Sequence, residues 1–262
     1  MAVVGPIFLF IHLTTSPTVS APSAANLEVQ PSELLALPFS TVTGFIVPTV
    51  LMSLHAPSYI TFEQKAFFVR VWQIFPVLCY ISQHFWKRIM ALISSSKPNH
   101  PQHQLRLSTK VYFFGTICAA VAHIGTWTIS LTACMFPKLF AKDMIHFLLP
   151  SQVLLPQLPW SGVQADSVGT GAHWFLQWDE VLTSTIYLLW ACSLTMNARQ
   201  RVGRSKGMLG DVLGLLGTAV VVGPAGAALC ALWERDELVF GETSEKRGII
   251  IDNNHGGRQK EL

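Results

Sequence analysis

Long apolar blocks are the feature that most restricts what this chain can fold into. Each block runs for roughly 20 residues, the length that an α-helix needs to cross a hydrocarbon core of about 30 Å. Half of the 262 residues are hydrophobic and only 13% are charged, whereas soluble domains carry about 25% charged residues. Such a chain buries its apolar surface in lipid as well as in protein. The pattern therefore predicts an all-α, polytopic transmembrane helix bundle.

Five segments are long and apolar enough to be predicted as membrane spans. They are residues 33–54, 66–86, 111–135, 174–195 and 208–233. The hydropathy pattern thus predicts five spans, and two further segments raise the possible number to seven.

Two weaker apolar segments are left open. Residues 2–13 are apolar but short, and they form either a retained first segment or part of a cleaved signal peptide. We favour retention, because no Lys or Arg precedes the apolar run. Residues 139–158 contain two charges and two internal prolines. A backbone interrupted in this way needs neighbouring protein to satisfy its carbonyls, so we expect a re-entrant or interfacial piece.

The distribution of positive charge predicts the topology. Residues 87–110 and 197–207 are the two basic connections, so both are expected on the cytoplasmic side. We then expect one membrane-embedded domain over residues 1–233 and a polar, disordered tail over 234–262 on the luminal side. The tail ends in QKEL, which resembles a retrieval signal of the endoplasmic reticulum and predicts that membrane as the location.

Composition also argues against several classes of protein. The net charge of +3 is small and scattered, which argues against nucleic acid as a partner. The five cysteines lie in or at the ends of apolar blocks without a CxxC pair, which is typical of small buried hydrophobic side chains. The chain has no DxxxD or DDxxD motif to hold magnesium on a diphosphate, so a metal-dependent prenyltransferase is disfavoured. We predict no metal and no cofactor.

Polar side chains are densest in the segment ITFEQKAFFVRVWQIFPVLCYISQHFW, residues 60–86. An ionisable group at the centre of a span costs about 2.5–3.5 kcal/mol on insertion scales, so such groups point to function. At helical spacing Glu63, Gln73 and Tyr80 fall near one stripe with Arg70 and His84, and we expect that stripe to face inward. The alternative is that Arg70 pairs with a carboxylate while Glu63 and His84 lie among lipid headgroups.

A second polar line lies in residues 111–135, where Thr116, His123 and Ser130 recur every seven residues. Residues at this spacing share one face of a helix. We expect His123 either to donate an interhelical hydrogen bond or to contact a ligand, and the first is the commoner use of such a histidine.

The stretch HWFLQWDE, residues 173–180, brings two adjacent acids to an aromatic part of the next span. On a helix, His173, Gln177 and Glu180 share a face, while Asp179 points about 100° away, beside Thr183. One interpretation is a helix start, where acids interact favourably with the dipole. The surrounding tryptophans favour a site, although an interfacial aromatic belt also accounts for them.

An acid in apolar, aromatic surroundings suits one kind of chemistry. Burial raises the pKa of a carboxyl group, so the group keeps its proton and can act as a general acid. Aromatic faces stabilise a cation without attacking it. These residue types therefore favour carbocation cyclisation of an isoprenoid that enters from the bilayer.

Four stretches also carry a family resemblance: GPIFLFIHLTTSP, GFIVPTVLMSL, FEQKAFFVRVWQIFPVL and FLQWDE. In this order they resemble the small integral-membrane terpene cyclases of fungal meroterpenoid pathways, of the ascochlorin and ascofuranone type. The resemblance implies a metal-independent cyclase that protonates an epoxide or a terminal alkene. Its substrate would be a farnesyl-type chain attached to a polyketide-derived or similar head group.

The matched stretches WQIFP and QWD contain the residues to which we assign roles on chemical grounds. Asp179 is the predicted acid, Gln177 orients it or the oxygen that it protonates, and Glu180 is the alternative acid. Glu63 is a candidate second acid or terminal base. The predicted substrate-binding side chains are Trp72, Gln73, Tyr80, His123 and Trp178, with Trp72 and Trp178 as the cation-facing rings.

Two other classes of function stay open. A small-molecule transporter or channel would also use Glu, Arg and His within spans, although no internal repeat supports a fold of duplicated halves. A non-catalytic scaffold that holds pathway enzymes at a membrane is the other alternative. The predicted partners are a prenylated small molecule and membrane lipid, and the sequence does not predict an oligomeric state.

Overall fold

The computed structural model describes residues 3–94, 101–204 and 207–258, with side chains in the last range described as far as residue 242. Every regular element in these residues is a helix, so the all-α prediction is confirmed. The described chain forms two compact units. The first unit comprises Met1–Asn26 and Gly115–Glu242, and the second comprises Leu27–Phe114 and Thr243–Leu262. The expectation of a single membrane domain over 1–233 stays a prediction.

The helices follow one another along the chain with short connections. In chain order they are α1 (Val4–Thr15), α2 (Pro17–Ser20), α3 (Pro31–Thr41), a π-helical turn (Val42–Ile46), α4 (Val47–Ser53), α5 (Phe62–Gln73), α6 (Phe75–Ile93), α7 (Pro101–Met135), a 3₁₀ turn (Pro137–Leu139), α8 (Ile145–Leu148), α9 (Pro150–Val153), α10 (Val168–Arg201) and α11 (Met208–Arg258).

Four helical stretches in the described chain are long and apolar enough to cross a membrane: Pro31–Ser53, Gln102–Met135, Val168–Arg201 and Leu209–Glu242. A fifth is present if α5 and α6, which meet at an angle of 69°, form one bent span. These stretches correspond to the five predicted spans and indicate an integral membrane protein.

The segments left open by hydropathy form shorter helices. Residues 2–13 correspond to α1, an apolar helix of 12 residues. Residues 139–158 begin at the end of the 3₁₀ turn and otherwise contain the single-turn helices α8 and α9. Neither is long enough to cross a bilayer as one straight helix.

The two basic connections are shorter than predicted, because the flanking helices extend into them. Helix α6 runs to Ile93 and α7 begins at Pro101, within the predicted loop 87–110. Helix α10 runs to Arg201, within the predicted loop 197–207. Residues 95–100 and 205–206, together with the terminal QKEL, lie outside the described residues.

In the second unit, α3 and its π-helical extension pack tightly against α6. A Cβ atom on Gly44 would lie 2.7 Å from the Cys79 backbone, so only glycine permits this approach. Gln83 accepts a hydrogen bond from the Ser40 hydroxyl (2.7 Å) and donates one to the Glu33 carbonyl (3.0 Å). Because both polar atoms of this half-buried amide are hydrogen-bonded, Gln83 fixes the register of the two helices.

Helix α5 begins with a capping box, in which Thr61 and Gln64 satisfy each other's backbone groups. It ends at Gln73, and α6 starts at Phe75 with Pro76 in its first turn. Proline has no N–H to continue α5 but fits the first turn of a new helix. The predicted single stripe from Glu63 to Tyr80 is therefore wrong, because its two ends lie on different helices.

In the first unit, α10 and α11 meet through small side chains. Ala191, Ala228 and Ala231 form a buried cluster, and the Thr195 hydroxyl donates a hydrogen bond to the Ala231 carbonyl (2.7 Å). Small residues let membrane helices approach closely, and a hydroxyl bonded across the contact adds to the attraction.

Helix α1 also packs on α10. The Trp190 indole N–H donates to Nδ1 of His12 (3.2 Å), and Tyr187 lies 3.7 Å from the position that a Cβ on Gly5 would take. Leu9 is buried. The short apolar segment at residues 2–13 thus belongs to the core of the first unit.

The predicted tail does not begin at residue 234. Helix α11 continues through this point, and Val239 and Phe240 are buried. Arg235 donates hydrogen bonds to the Asp236 carboxylate (2.6 Å and 2.9 Å). Because the charges are paired and the apolar side chains are covered, residues 234–242 are part of the first unit.

Candidate functional site

The predicted acids lie well inside helix α10 rather than at its start. Helix α10 begins at Val168, so Asp179 lies about three turns along it at 3.6 residues per turn. The helix dipole acts mainly within the first turn. The acid at the actual N-terminus is Asp166, whose pKa is lowered by a hydrogen bond from the Thr170 hydroxyl (2.5 Å). A helix-start role therefore fits Asp166 and does not account for Asp179 or Glu180.

The two adjacent acids have different surroundings. Asp179 is half-buried. Glu180 is exposed, and its carboxylate accepts a hydrogen bond from the Ser184 hydroxyl on the next turn (2.6 Å). Of the two acids, Asp179 is the one further removed from solvent.

A polar atom without a partner lies one turn along the same face. The Thr183 hydroxyl oxygen is buried, and no described residue forms a hydrogen bond with it. Residues four apart are neighbours on a helix surface, which places Thr183 beside Asp179. Buried polar atoms are rarely left unpaired, so this hydroxyl is available to a ligand or to water.

The neighbouring side chains hold the segment between α7 and α10, which we term the connecting segment (residues 136–167). The Gln177 amide nitrogen donates to the carbonyls of Gln152 (2.7 Å) and Val153 (2.9 Å). These carbonyls end α9 and have no donor within that one-turn helix. The Trp178 indole N–H donates to the Gln157 carbonyl (2.8 Å).

The other side of the connecting segment is fixed by α7. The buried Ser130 hydroxyl donates to the Leu148 carbonyl at 2.7 Å. Three side chains from two helices thus bind carbonyls of the connecting segment. The polar groups of Gln177 and Trp178 are used in these contacts, which gives both residues a positioning role.

His123 lies at a break in α11. Gly223 has φ 83° and ψ 161°, which interrupts the helix, and Pro224 follows it. Because proline lacks an N–H, the Val220 carbonyl four residues earlier has no helical donor. His123 Nε2 donates to that carbonyl at 3.2 Å. The expected interhelical hydrogen bond of His123 is present, and its partner is a carbonyl that the sequence leaves unpaired.

An apolar opening lies beside this contact and is termed the α7–α11 cleft. Its volume is about 670 Å³. All of the residues that line it are apolar except His123 and Thr128, and they include Trp127, Leu216 and Ala219. Sequence reasoning missed Trp127, which looked like an ordinary residue of an apolar span.

A charged cluster joins α10 and α11 at another point of the first unit. Arg199 forms ion pairs with Asp211 and with Glu234, and its Nε donates to Glu234 at 2.8 Å. The Asp211 side chain is only 4% exposed. This cluster lines a cavity of about 200 Å³ that also contacts Cys192 and Thr195. The sequence does not predict this cluster, because Arg199 falls in a stretch that is predicted to be a basic loop.

The remaining predicted residues lie in the second unit. Glu63 is exposed in the first turn of α5, and Gln73 is exposed at its last position. The Trp72 indole N–H donates to the Thr49 hydroxyl (3.1 Å). Tyr80 is 65% exposed and packs edge-on against the ring of His84, with centroids 4.4 Å apart. The roles assigned to these four side chains stay predictions.

The long apolar helices indicate a polytopic integral membrane protein with an all-α fold. The CtvD domain model matches residues 1–240. The chain therefore belongs to the CtvD domain family. The resemblance to fungal membrane terpene cyclases that the sequence predicts is confirmed at the level of the family.

Relatives of this chain carry the name terpene cyclase. The chain is 32% identical over 249 residues to terpene cyclase ascI of Acremonium egyptiacum, a match that covers 94% of this chain and 62% of that protein. It is 27% identical to terpene cyclase ctvD of Aspergillus terreus, over 90% of this chain and 64% of that protein. Terpene cyclase penA of Penicillium crustosum is 30% identical, over 75% of this chain and 52% of that protein.

The chain thus spans between about half and two thirds of the length of these relatives. No solved structure matches it.

Proposed function

We propose that this chain is a membrane-bound terpene cyclase that starts a carbocation cyclisation by protonating its substrate. The observation that carries the proposal is the position of Asp179. It is a half-buried acid three turns into α10, a helix long and apolar enough to cross a membrane, in a family whose relatives are named terpene cyclases. We assign the role of general acid to its carboxyl group.

The proposed reaction is an isomerisation. The Asp179 proton moves to an epoxide oxygen, whose C–O bond breaks, or to the terminal carbon of an alkene, whose π electrons form the new C–H bond. The neighbouring alkene attacks the resulting cation and closes a ring. Loss of a proton to a base, or capture by an internal hydroxyl, ends the reaction. The product has the mass of the substrate, and no step needs a metal or a cofactor.

Thr183 and Gln177 support this assignment in different ways. The unpaired Thr183 hydroxyl lies one turn from Asp179 and is suited to hold the substrate oxygen. Gln177 holds the connecting segment against α10, and in this way it shapes the surroundings of the acid. Glu63 remains the candidate for a second acid or a terminal base.

The proposed substrate is a farnesyl-type chain on a meroterpenoid head group that enters from the bilayer. Apolar spans and exposed apolar side chains, such as Phe175 and Leu182, give such a molecule a path from lipid. We propose the endoplasmic reticulum as the membrane.

The proposal is tested in microsomes from a host that expresses the chain. Farnesyl phenol and its terminal epoxide are supplied in the presence of EDTA, and the extract is searched for products of unchanged mass and new retention. We expect isomerisation that survives chelation. Asp179→Asn should abolish it, because the amide has no proton of comparable acidity to give.

Glu180→Gln is the matched control, since Glu180 is the adjacent acid on a more exposed face. We expect it to retain activity. If Glu180→Gln is inactive and Asp179→Asn is active, the acid is on the other face of α10. If no isomer forms from either substrate while reconstituted vesicles take the substrate up, the chain is a transporter and the proposal fails.

A further inference from the structure

The α7–α11 cleft lies beside the break in α11. Gly223 adopts a positive φ of 83° that non-glycine residues rarely accept. A Cβ atom at this position would lie 3.0 Å from Cβ and Cγ of His123. The backbone of α11 therefore meets the imidazole of α7 directly, and any side chain at Gly223 would separate the two helices.

The carbonyl that the break leaves without a helical donor has a hydrogen-bond partner on α7. Pro224 leaves the Val220 carbonyl without a helical donor, and His123 Nε2 supplies one. An unpaired carbonyl in an apolar span costs several kcal/mol. His123 thus stabilises a broken helix that would otherwise be unfavourable in lipid, which makes it a positioning residue for the cleft wall.

We propose that the α7–α11 cleft binds the isoprenoid chain of the substrate, with the indole of Trp127 beside that chain. The inference rests on the proposed function and adds a binding site to it. Of the site residues predicted from the sequence, only His123 lines this cleft. The volume of about 670 Å³ lies within the range of about 300–1,000 Å³ found for small-molecule sites. The apolar walls suit a hydrocarbon chain.

Trp127 favours an isoprenoid over a saturated lipid tail. The face of an indole attracts positive charge more strongly than any other side-chain ring. An isoprenoid that cyclises develops such charge along its chain, whereas a saturated acyl chain does not.

The inference is tested first by labelling, which does not require turnover. Membranes that contain the full chain are photolysed with a farnesyl phenol that carries a diazirine on its chain, and labelled peptides are identified by mass spectrometry. We expect label within residues 123–131 or 216–224, and we expect excess farnesyl phenol to displace it. Equal labelling by a diazirine fatty acyl phospholipid that farnesyl phenol does not displace would overturn the inference.

Variants of the cleft wall provide the second test. Ala219→Phe places a ring in the cleft, and we expect it to reduce labelling and to raise KM more for farnesyl phenol than for geranyl phenol. Ala122→Phe is the control, because Ala122 is exposed on α7 and does not line the cleft. Unchanged labelling and KM in Ala219→Phe would overturn the inference.

Trp127→Leu tests the contribution of the aromatic ring alone, because leucine keeps an apolar side chain at this position. A cation–π contact contributes about 0.5–2 kcal/mol, so we expect kcat to fall about 2- to 30-fold while displaceable labelling persists. An unchanged kcat would remove the indole from the proposal.

Failure of this inference differs from failure of the proposed function. Isomerisation with label only outside the cleft overturns the binding site and leaves the cyclase intact. Displaceable label in the cleft without isomerisation supports the binding site and rejects the cyclase.

Discussion

The Trp178 indole N–H donates a hydrogen bond to the Gln157 carbonyl at 2.8 Å and thereby ties α10 to the connecting segment. From the sequence, Trp178 was expected to present its ring to a cation. The hydrogen bond gives the same residue a second task, which depends on its nitrogen and not on its ring. Because Asp179 is the next residue, movement of the connecting segment would alter the surroundings of the proposed acid.

The two roles of Trp178 are separable by substitution. Trp178→Phe keeps a ring and removes the N–H, so it leaves the Gln157 carbonyl without this donor. We expect a loss of about 1–3 kcal/mol in the free energy of unfolding in detergent, the desolvation penalty of an unsatisfied group. Trp178→Leu should lower the free energy of unfolding by the same amount. If the ring also contacts the cation, this variant should lose cyclisation activity as well. A Trp178→Phe variant of unchanged stability would show that the hydrogen bond contributes little.

The tight contact of Gly44 with α6 predicts that alanine lowers stability at this position but not at another helical glycine. Gly44→Ala would place a Cβ atom 2.7 Å from the Cys79 backbone, and overpacking of this kind costs about 1–3 kcal/mol. Gly125→Ala is the matched control, because among the described residues no atom beyond its own stretch of helix lies within 4 Å of the added Cβ and alanine favours a helix over glycine. In thermal unfolding in detergent, we expect Gly44→Ala to have a lower melting temperature than the unmodified chain. Gly125→Ala should have the same melting temperature or a higher one. Equal melting temperatures for the two variants would contradict the contact.

The spans could be predicted from the sequence, because the length of an apolar block depends on local composition alone. Hydropathy does not predict the break between α5 and α6, because the residues on both sides of it are apolar, although Pro76 is typical of the first turn of a helix. The continuation of α11 beyond residue 233 was missed for a different reason. Arg235 and Asp236 look like the start of a polar tail until their pairing is known.

The candidate site could be predicted only in part. The position of Asp179 within a span followed from hydropathy, and the hydrogen bond of His123 followed from its place in an apolar helix. The bonds from Gln177 to Gln152 and Val153 could not be predicted, because they depend on how an irregular segment folds back. Trp127 could not be distinguished from other span residues without the cleft.

The charged cluster of Arg199 predicts a large effect on stability. Arg199→Met leaves the buried Asp211 carboxylate without its cation, and removal of one partner of a buried pair costs about 3–5 kcal/mol. Adding Asp211→Asn to Arg199→Met should recover part of this loss, because the uncompensated charge is gone. Arg204→Met is the control, since Arg204 is exposed. The measurement is the free energy of unfolding in detergent of the single variant, the double variant and the control. A double variant that is no more stable than Arg199→Met would contradict the pairing.

The Thr183 hydroxyl allows a test in which stability and activity move in different directions. Its oxygen is buried without a partner among the described residues, so Thr183→Val removes an unsatisfied polar group and should leave the free energy of unfolding unchanged or raised. If the hydroxyl holds the substrate oxygen beside Asp179, the same variant should lower kcat/KM about tenfold, equivalent to about 1.4 kcal/mol of binding to the transition state. Thr183→Ser keeps the hydroxyl and should retain activity. A Thr183→Val variant that is destabilised would indicate a structural partner for the hydroxyl. A stable and fully active variant would remove Thr183 from the site.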